Sequence, residues 1–395
     1  MRLPLAPVQT ESMTSRRWIS RLERVDWDFT GTFSDSPFSL IHWHPGRLVS
    51  QVAATLVGLL TEREDIVLDP FSGSGTVLVE AQRLGRRSIG FELNPTSCRI
   101  TKSKTLAVAT TAIERAATEI IEDAEWALDE RLGGAAIPPV VPESVQRKWY
   151  TRRVLSDLGT LWALICSYSG VQRLIAEVCL SAILLPSCRE TRHWGYVCDN
   201  STPKDDHSPN VRRLFVEAVE RLAEAYQARD AERVATTASP EVPLSVIRLG
   251  DARELAGTLE DHCIDAVITS PPYFGVSDYA KSQRLSMEWF GTEIEPLRLL
   301  EIGARSKRHR KSAAADYVRE LSDFFMSLKA KLKADGRCAL VIGKSHTRQL
   351  VVDELVRRLE NSGYTVCFDA TRRVSEQRRQ SPSVREERII VCRVE

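Results

Sequence analysis

The spacing of apolar residues switches between a helical and a strand period several times in the first hundred positions. Residues 48–60 have helical spacing, residues 65–71 form a short β-branched run, residues 75–85 are helical again, and residues 87–93 form a second apolar run. A strand, a glycine turn, a helix and a second strand within about 30 residues indicate a parallel βαβ unit.

The alternation resumes after residue 243, and the stretch between the two parts is helical in pattern. Strands are predicted at 244–251, 264–273, 336–345, 364–372 and 387–394, with helices at 317–333 and 349–361. Helical patterns also cover 112–134, 148–188 and 210–235. We therefore expect an α/β fold with one doubly wound, mostly parallel, Rossmann-like sheet and a mainly helical insert.

These patterns divide the chain into four segments. An extension that is polar and irregular in pattern covers 1–35, and the first part of the sheet domain covers 36–105. The helical insert covers 106–243, and the second part of the sheet domain covers 244–395, with a basic loop at 275–311.

Composition excludes several classes of protein. The chain has 395 residues, of which 43% are hydrophobic and 27% charged, and its net charge of +1 excludes a uniformly basic protein that coats nucleic acid. No apolar run reaches the roughly 18 residues of a membrane span, since polar residues interrupt the longest candidate at 175–186. The first nine residues do not resemble a signal peptide, so we expect a cytoplasmic protein.

The nine cysteines are spread along the chain without a Cys-x-x-Cys pair, which predicts reduced thiols. Four residues could in principle ligate zinc: Cys188, His193, Cys198 and His207. Their spacing matches no common zinc module, so we expect ordinary packing and no metal.

A glycine-rich turn, "DPFSGSGT" at 69–76, follows the first predicted strand and opens a helix. Gly73 and Gly75 allow a tight turn and a close approach of a ligand to the backbone. Glu92 ends the next strand, where a carboxylate can accept hydrogen bonds from both hydroxyls of a ribose. The ligand could be a dinucleotide or another adenosine derivative, but the third glycine of the nicotinamide fingerprint is replaced by Leu78.

The turn resembles the first motif of S-adenosylmethionine-dependent methyltransferases, and "FELNP" at 91–95 resembles their second. "LGDAREL" at 249–255 is similar to a later motif, and "SPFSLIHWHPGRLVSQ" at 36–51 to the one that closes over the methionine end of the cofactor. The resemblance implies that S-adenosylmethionine binds at Pro45, Arg47, Asp69, Phe71, Gly73, Gly75, Glu92, Asp251 and Ala252. Taken alone, Asp251 could equally be a turn residue at the end of a strand.

"ITSPPYFG" at 268–275 follows another apolar strand, so it lies at the carboxyl end, where open α/β sheets bind ligands. Pro271 and Pro272 remove two N–H groups and leave carbonyls that only accept. Ser270 adds a side-chain acceptor, and Tyr273 supplies a flat face that can stack on a base. Acceptors on both N–H bonds of an exocyclic amino group make its nitrogen more pyramidal, which suits attack on a sulfonium methyl. A rigid proline turn would be the alternative for Pro-Pro alone.

The tetrapeptide resembles the catalytic motif of amino-methylating DNA methyltransferases, in the Ser-Pro-Pro-Tyr form typical of cytosine-N4 enzymes. The resemblance implies catalysis at Ser270, Pro271, Pro272 and Tyr273, with double-stranded DNA as substrate and a possible companion restriction endonuclease. Three alternatives stay open: an adenine-N6 DNA enzyme, a guanine-N2 RNA enzyme, and a non-catalytic DNA-binding protein with this fold. Cytosine-C5 chemistry is rejected because the chain has no Pro-Cys pair.

Three clusters of Arg and Lys, at 147–153, 305–311 and 372–379, are candidates for phosphate contact and predict a basic strip on an otherwise acidic protein. The loop after the catalytic motif is the best candidate. We expect DNA contacts from Asp278, Tyr279, Arg305, Lys307, Arg308, Arg310 and Lys311. The polar and aromatic segment 190–200 and the helical insert are further candidates.

Overall fold

The structure is a computed structural model. It describes residues 15–30, 36–130, 141–190, 203, 207–236, 242–344, 346–374 and 384–394.

A seven-stranded sheet forms the centre of the fold. Its strands are β1 (Ile66–Asp69), β2 (Arg87–Glu92), β3 (Ser245–Leu249), β4 (Ile264–Thr269), β5 (Leu332–Lys344), β6 (Tyr364–Arg373) and β7 (Glu386–Val394). The spatial order is β3-β2-β1-β4-β5-β7-β6, and only β7 runs antiparallel to its neighbours. The predicted doubly wound, mostly parallel Rossmann-like sheet is confirmed.

Apolar residues on both faces of the strands explain why helices cover both sides of this sheet. One face packs against α1 (Ser15–Leu22), α2 (Ser50–Leu60) and α3 (Thr76–Arg83). The other face packs against α13 (Ala313–Leu328) and α14 (His346–Asn361). Helix α4 (Pro95–Lys104) follows β2 and is capped by the Asn94 side chain.

The amino-terminal extension departs from the irregular pattern that we predicted for residues 1–35. Helix α1 buries Trp18 and Leu22 against α2 and the sheet. Its few apolar residues are one helical turn apart, but the helix is too short and too rich in charged residues for this spacing to predict it.

The helices of the insert pack around a large cluster of buried apolar side chains. These helices are α5 (Thr110–Glu130), α6 (Glu143–Trp149), α7 (Arg152–Ser167), α8 (Gly170–Leu184) and α9 (Val211–Thr236). This core continues into the sheet domain through Phe38, Ile100 and Trp289, which belong to the same cluster of buried side chains. No described helix has the length and apolar content needed to cross a membrane.

The predicted loop 275–311 contains three short helices, α10 (Tyr279–Ser282), α11 (Arg284–Trp289) and α12 (Ile294–Leu300). They are too short and too polar to show a helical period in the sequence. Contacts with the rest of the protein stabilise them instead. Leu285 and Trp289, for example, are buried against the insert.

Candidate active site

A cavity lies at the carboxyl ends of four adjacent strands, β3, β2, β1 and β4. Each strand is followed by, or ends in, one of the sequence motifs: Asp251 after β3, Glu92 at the end of β2, Asp69 at the end of β1 and Ser270 after β4. The cavity encloses about 820 Å³ of space not filled by atoms, counting its open mouth.

The glycine turn brings the backbone close to the cavity. Gly73 and Gly75 have φ of +52° and +81°, a region that side chains disfavour. A Cβ at Gly73 would lie 3.1 Å from the ring of His44, and one at Gly75 would lie 2.6 Å from the Thr101 methyl. Turn geometry and packing therefore favour glycine at both positions, and Gly73 also lines the cavity.

Glu92 is the central polar group of the cavity. Its carboxyl accepts the backbone N–H groups of Gly73 and Asn94, both at 2.8 Å. Burial raises its pKa to about 7, although these two hydrogen bonds oppose the rise. A carboxylate has room for further hydrogen bonds, so Glu92 can still accept two hydroxyl groups.

Asp69 is buried behind the glycine turn and supports it. Its Oδ1 accepts the Thr269 hydroxyl at 2.6 Å and the Phe71 backbone N–H at 3.2 Å. Burial raises the pKa of Asp69 to about 7. These bonds tie the ends of β1 and β4 together, and with them the cofactor motif and the catalytic motif.

The residues expected to bind the cofactor fall into two connected spaces. Pro45, Phe71, Gly73, Glu92, Asp251 and Ala252 line the main cavity. Arg47 and Asp69 line a smaller one, which shares Phe71, Gly73 and Ser270 with the first. Gly75 lines neither space and acts through the turn. A buried carboxyl beside a glycine cradle and an apolar wall fits an adenosine-containing group such as S-adenosylmethionine.

Asp251 is already engaged in the free protein. Its carboxylate pairs with Arg253, whose Nε lies 3.0 Å from Oδ1, and it accepts the Arg253 backbone N–H at 2.9 Å. Arg253 also contacts Glu320 at 3.2 Å. The interpretation of Asp251 as a turn residue and its implied role in binding the cofactor are therefore both compatible with the structure.

The Ser-Pro-Pro-Tyr tetrapeptide is divided between the cavity and the protein interior. Ser270 and Pro272 line the cavity. The Pro272 carbonyl accepts the Tyr317 hydroxyl at 2.9 Å, which leaves one lone pair for another donor. Tyr273 is buried and does not line the cavity, so its stacking on a base stays a prediction.

Tyr279 is the tyrosine that lines the cavity, near Glu92 and Glu301. Asp278 has a different contact, since its Oδ1 accepts the Ser306 backbone N–H at 2.9 Å. Asp278 thereby holds the start of the basic segment 305–311 beside the cavity.

The basic segment is largely exposed. Arg305, Arg308, Arg310 and Lys311 have exposed side chains. Lys307 instead donates to the carbonyls of Leu299 and Glu301, both at 2.7 Å, and burial lowers its pKa.

The other two basic clusters are less available to a ligand. In the cluster 147–153, Trp149 and Tyr150 are core residues, whereas Arg152 and Arg153 are exposed. In the cluster 372–379, Arg372 pairs with Glu387 and Arg373 with Asp28, and residues 375–379 lie outside the described part of the chain.

Apart from residue 190, the segment 190–200 lies outside the described residues. It contains His193 and Cys198, two of the four possible zinc ligands. Within the described part of the chain, no group of three or more side chains could hold a metal ion.

Sequence reasoning missed two titratable residues of the cavity. His44 is partly buried, its Nε2 lies 3.0 Å from the Ser97 hydroxyl, and desolvation lowers its pKa to about 3. Glu301 lies after α12, and burial raises its pKa to about 7. His44 lies inside the quoted motif 36–51 and could have been considered, whereas Glu301 has no sequence signal.

Residues 8–103 match a family model described as DNA methylase, for N6 and N4 methylation. The chain is 20% identical to the type II methyltransferase M.MjaII of Methanocaldococcus jannaschii, over 83% of this chain and 77% of that protein. It is 25% identical to the type II methyltransferase M.MvaI of Kocuria varians, over 64% of this chain and 58% of that protein. A TehB-like S-adenosylmethionine-dependent methyltransferase of Corynebacterium glutamicum covers 87% of both chains at 9% identity and a TM-score of 0.32.

The family model and the two type II methyltransferases support a DNA methyltransferase of the N4/N6 class. The matched region contains the glycine turn and Glu92, so it also supports S-adenosylmethionine as the cofactor. The catalytic tetrapeptide lies outside the matched region.

Proposed function

We propose that this protein transfers a methyl group from S-adenosylmethionine to the N4 amino group of cytosine in double-stranded DNA. The observation that carries the proposal is the position of Ser270, which lines the same cavity as Glu92 and Gly73. A Ser-Pro-Pro-Tyr motif is thus adjacent to a cradle suited to the cofactor, as methyl transfer between two bound groups requires.

The residues of the cavity suit direct transfer without a covalent intermediate. S-adenosylmethionine supplies the methyl group when bound. Glu92 holds the ribose hydroxyls, and the Ser270 hydroxyl and the proline carbonyls accept hydrogen bonds from the amino group. The target base must leave the duplex to reach them, and Tyr279 is an aromatic side chain at the cavity against which it can pack.

The exposed cations of 305–311 are the proposed phosphate contacts. They follow Asp278 and Tyr279 and lie where the chain leaves the cavity, so a duplex bound there would present a flipped base to the catalytic motif. Lys307 was expected to share this role, but its ammonium group is bonded to two carbonyls and it serves the loop itself.

We propose that the methylation is site-specific and belongs to a restriction–modification system with a companion endonuclease. The support is the similarity to M.MjaII and M.MvaI, both of which are type II methyltransferases. The recognition region would be drawn from the segment 275–311, part of which lines the cavity, and from the helical insert, which packs against Leu285 and Trp289 of that segment.

Nucleoside mass spectrometry on DNA and RNA from cells that express the protein tests this function. We expect N4-methylcytosine in DNA, a strongly reduced but measurable amount in Ser270→Ala, and an unchanged amount in Ser327→Ala, a control on the exposed face of α13. N6-methyladenine would contradict the assignment of the base, and modified RNA beside unmodified DNA would contradict the assignment of the substrate. No modification together with no binding of S-adenosylmethionine would favour a non-catalytic protein.

A further inference from the structure

Tyr273 follows β4, and its side chain is enclosed by residues of β5 and β7. Its ring lies against Gly343 of β5, where an added Cβ would come within 2.4 Å of the ring. Its hydroxyl reaches Glu387 of β7, with 2.8 Å between the phenolic oxygen and Oε1. The side chain is 7% exposed, so in this structure the tyrosine of the catalytic motif faces protein and not ligand.

Glu387 is held in place from its other side. Its Oε2 pairs with Arg372 of β6, a guanidinium that is 4% exposed and whose Nε also donates to the Trp27 carbonyl at 3.0 Å. The carboxylate is therefore fixed, charged and able only to accept.

This arrangement fixes the direction of the hydrogen bonds. Because the Glu387 carboxylate only accepts, the Tyr273 hydroxyl must donate to it, and the phenolic oxygen remains available as an acceptor. The Ser270 hydroxyl lies 3.2 Å from that oxygen and donates to it. Burial and the charge of Glu387 raise the pKa of Tyr273 well above its ordinary value, so the phenol keeps its proton.

A serine hydroxyl is both donor and acceptor, so a lone Ser270 could turn its proton toward the substrate amino group. With its proton committed to Tyr273, the Ser270 oxygen presents only lone pairs to the cavity. The chain of hydrogen bonds also polarises that oxygen and strengthens it as an acceptor.

We propose that Tyr273 and Glu387, anchored by Arg372, are positioning residues that make Ser270 an obligatory acceptor for the exocyclic amino group of the target base. This proposal rests on the proposed function, since it assigns a role within that reaction. It also gives the tyrosine a task that does not depend on stacking.

A double-mutant cycle between Tyr273→Phe and Ser270→Ala tests the proposal. Phenylalanine keeps the packing on Gly343 and removes only the hydroxyl. In the otherwise unchanged protein we expect Tyr273→Phe to lower kcat by about tenfold, the scale of one lost hydrogen bond, with KM for DNA changed less than about twofold. In the Ser270→Ala background, where the hydroxyl has nothing to orient, Tyr273→Phe should change kcat by less than about twofold.

A second pair of variants covers the case in which Tyr273→Phe does not fold. Glu387→Gln keeps the shape of the side chain but supplies a donor as well as an acceptor, so Tyr273 is no longer forced to donate, and kcat should fall. The matched control is Glu386→Gln, whose partially exposed carboxylate only approaches Lys344 at 3.6 Å. It should leave kcat unchanged.

Calorimetric titration with S-adenosylmethionine supplies a readout other than activity. Its dissociation constant should stay within about twofold in Tyr273→Phe and Glu387→Gln, because neither side chain lines the cofactor space. A parallel loss of cofactor binding, or an equal effect of Tyr273→Phe in both serine backgrounds, would overturn the positioning role. If the unchanged protein methylates no DNA, the proposed function fails and this proposal with it. An active protein indifferent to both variants would refute the positioning role alone.

Discussion

Ionisation of Glu92 near neutral pH should control how tightly the cavity binds its cofactor. The Glu92 carboxyl has a pKa of about 7 in the free protein because it is buried, and the ionised form is the one that accepts both hydroxyls of a ribose. Binding of S-adenosylmethionine should therefore tighten as pH rises, by about tenfold between pH 6 and 8. Calorimetric titration at several pH values measures this slope.

Glu92→Gln is the variant that isolates this effect, because an amide does not titrate. We expect weaker binding with a flatter pH dependence. Asp69 and Glu301 also have pKa values raised to about 7, so part of the slope belongs to them. Glu301→Gln serves as the comparison. If the pH dependence of binding vanishes in Glu301→Gln but persists in Glu92→Gln, it does not arise from Glu92.

The same shift lowers the stability of the free protein as pH rises. Between about 4.5 and 7 the native Glu92 holds a proton that the unfolded chain has released, so the free energy of unfolding falls with rising pH across that window. Urea unfolding of the wild type and Glu92→Gln at pH 5 and pH 7.5 checks the sign. Glu92→Gln should lose less stability between the two pH values.

The basic segment 305–311 is expected to supply phosphate contacts to DNA. Replacing Arg305, Arg308, Arg310 and Lys311 with Gln removes four exposed charges without touching a buried group. Each phosphate contact contributes about 0.9 to the slope of log affinity against log salt, so we expect that slope to fall by about 2 to 4. Fluorescence anisotropy with a duplex at several salt concentrations measures it.

The control for this change removes positive charge elsewhere. Arg357 and Arg358 of α14 are exposed but pair with Glu354 at 2.7 and 3.0 Å. Their replacement with Gln should leave the salt slope unchanged within about 0.5, because paired cations release few counterions. A loss of slope in the control that is about half that of the test set, in proportion to the two and four charges removed, would mean that the effect is one of net charge alone.

Strands β1 and β4 could be predicted from the sequence because each is a continuous apolar run that is largely buried. The edge strands β3 and β6 are only partly buried, and their β-branched and aromatic residues indicated them instead. The four motifs could likewise be placed at strand ends. The orientation of Tyr273 could not, since its partner Glu387 lies 114 residues further along the chain and meets it only through the order of the sheet. Helices α10 to α12 were also missed, because tertiary packing and not periodicity orders them.

The insert and the sheet domain share one apolar core, and buried hydrogen bonds also join them. Tyr226 of α9 donates its hydroxyl to the Ser103 carbonyl at 2.7 Å and accepts the Leu106 N–H at 3.0 Å. Arg229 adds a contact to Gln82 at 3.2 Å. Because the core cluster of the insert includes residues of the sheet domain, we expect the two parts to unfold together in a single transition.

Tyr226→Phe tests this coupling. The change leaves the Ser103 carbonyl and the Leu106 N–H without the hydroxyl, and it should lower the free energy of unfolding by about 1–3 kcal/mol while the single transition is kept. Tyr168→Phe is the control, since Tyr168 makes one partly exposed bond to Asp123 at 2.8 Å and should cost less. Urea unfolding followed by circular dichroism and tryptophan fluorescence reports both quantities. Separate transitions by the two probes would contradict this coupling between the insert and the sheet domain.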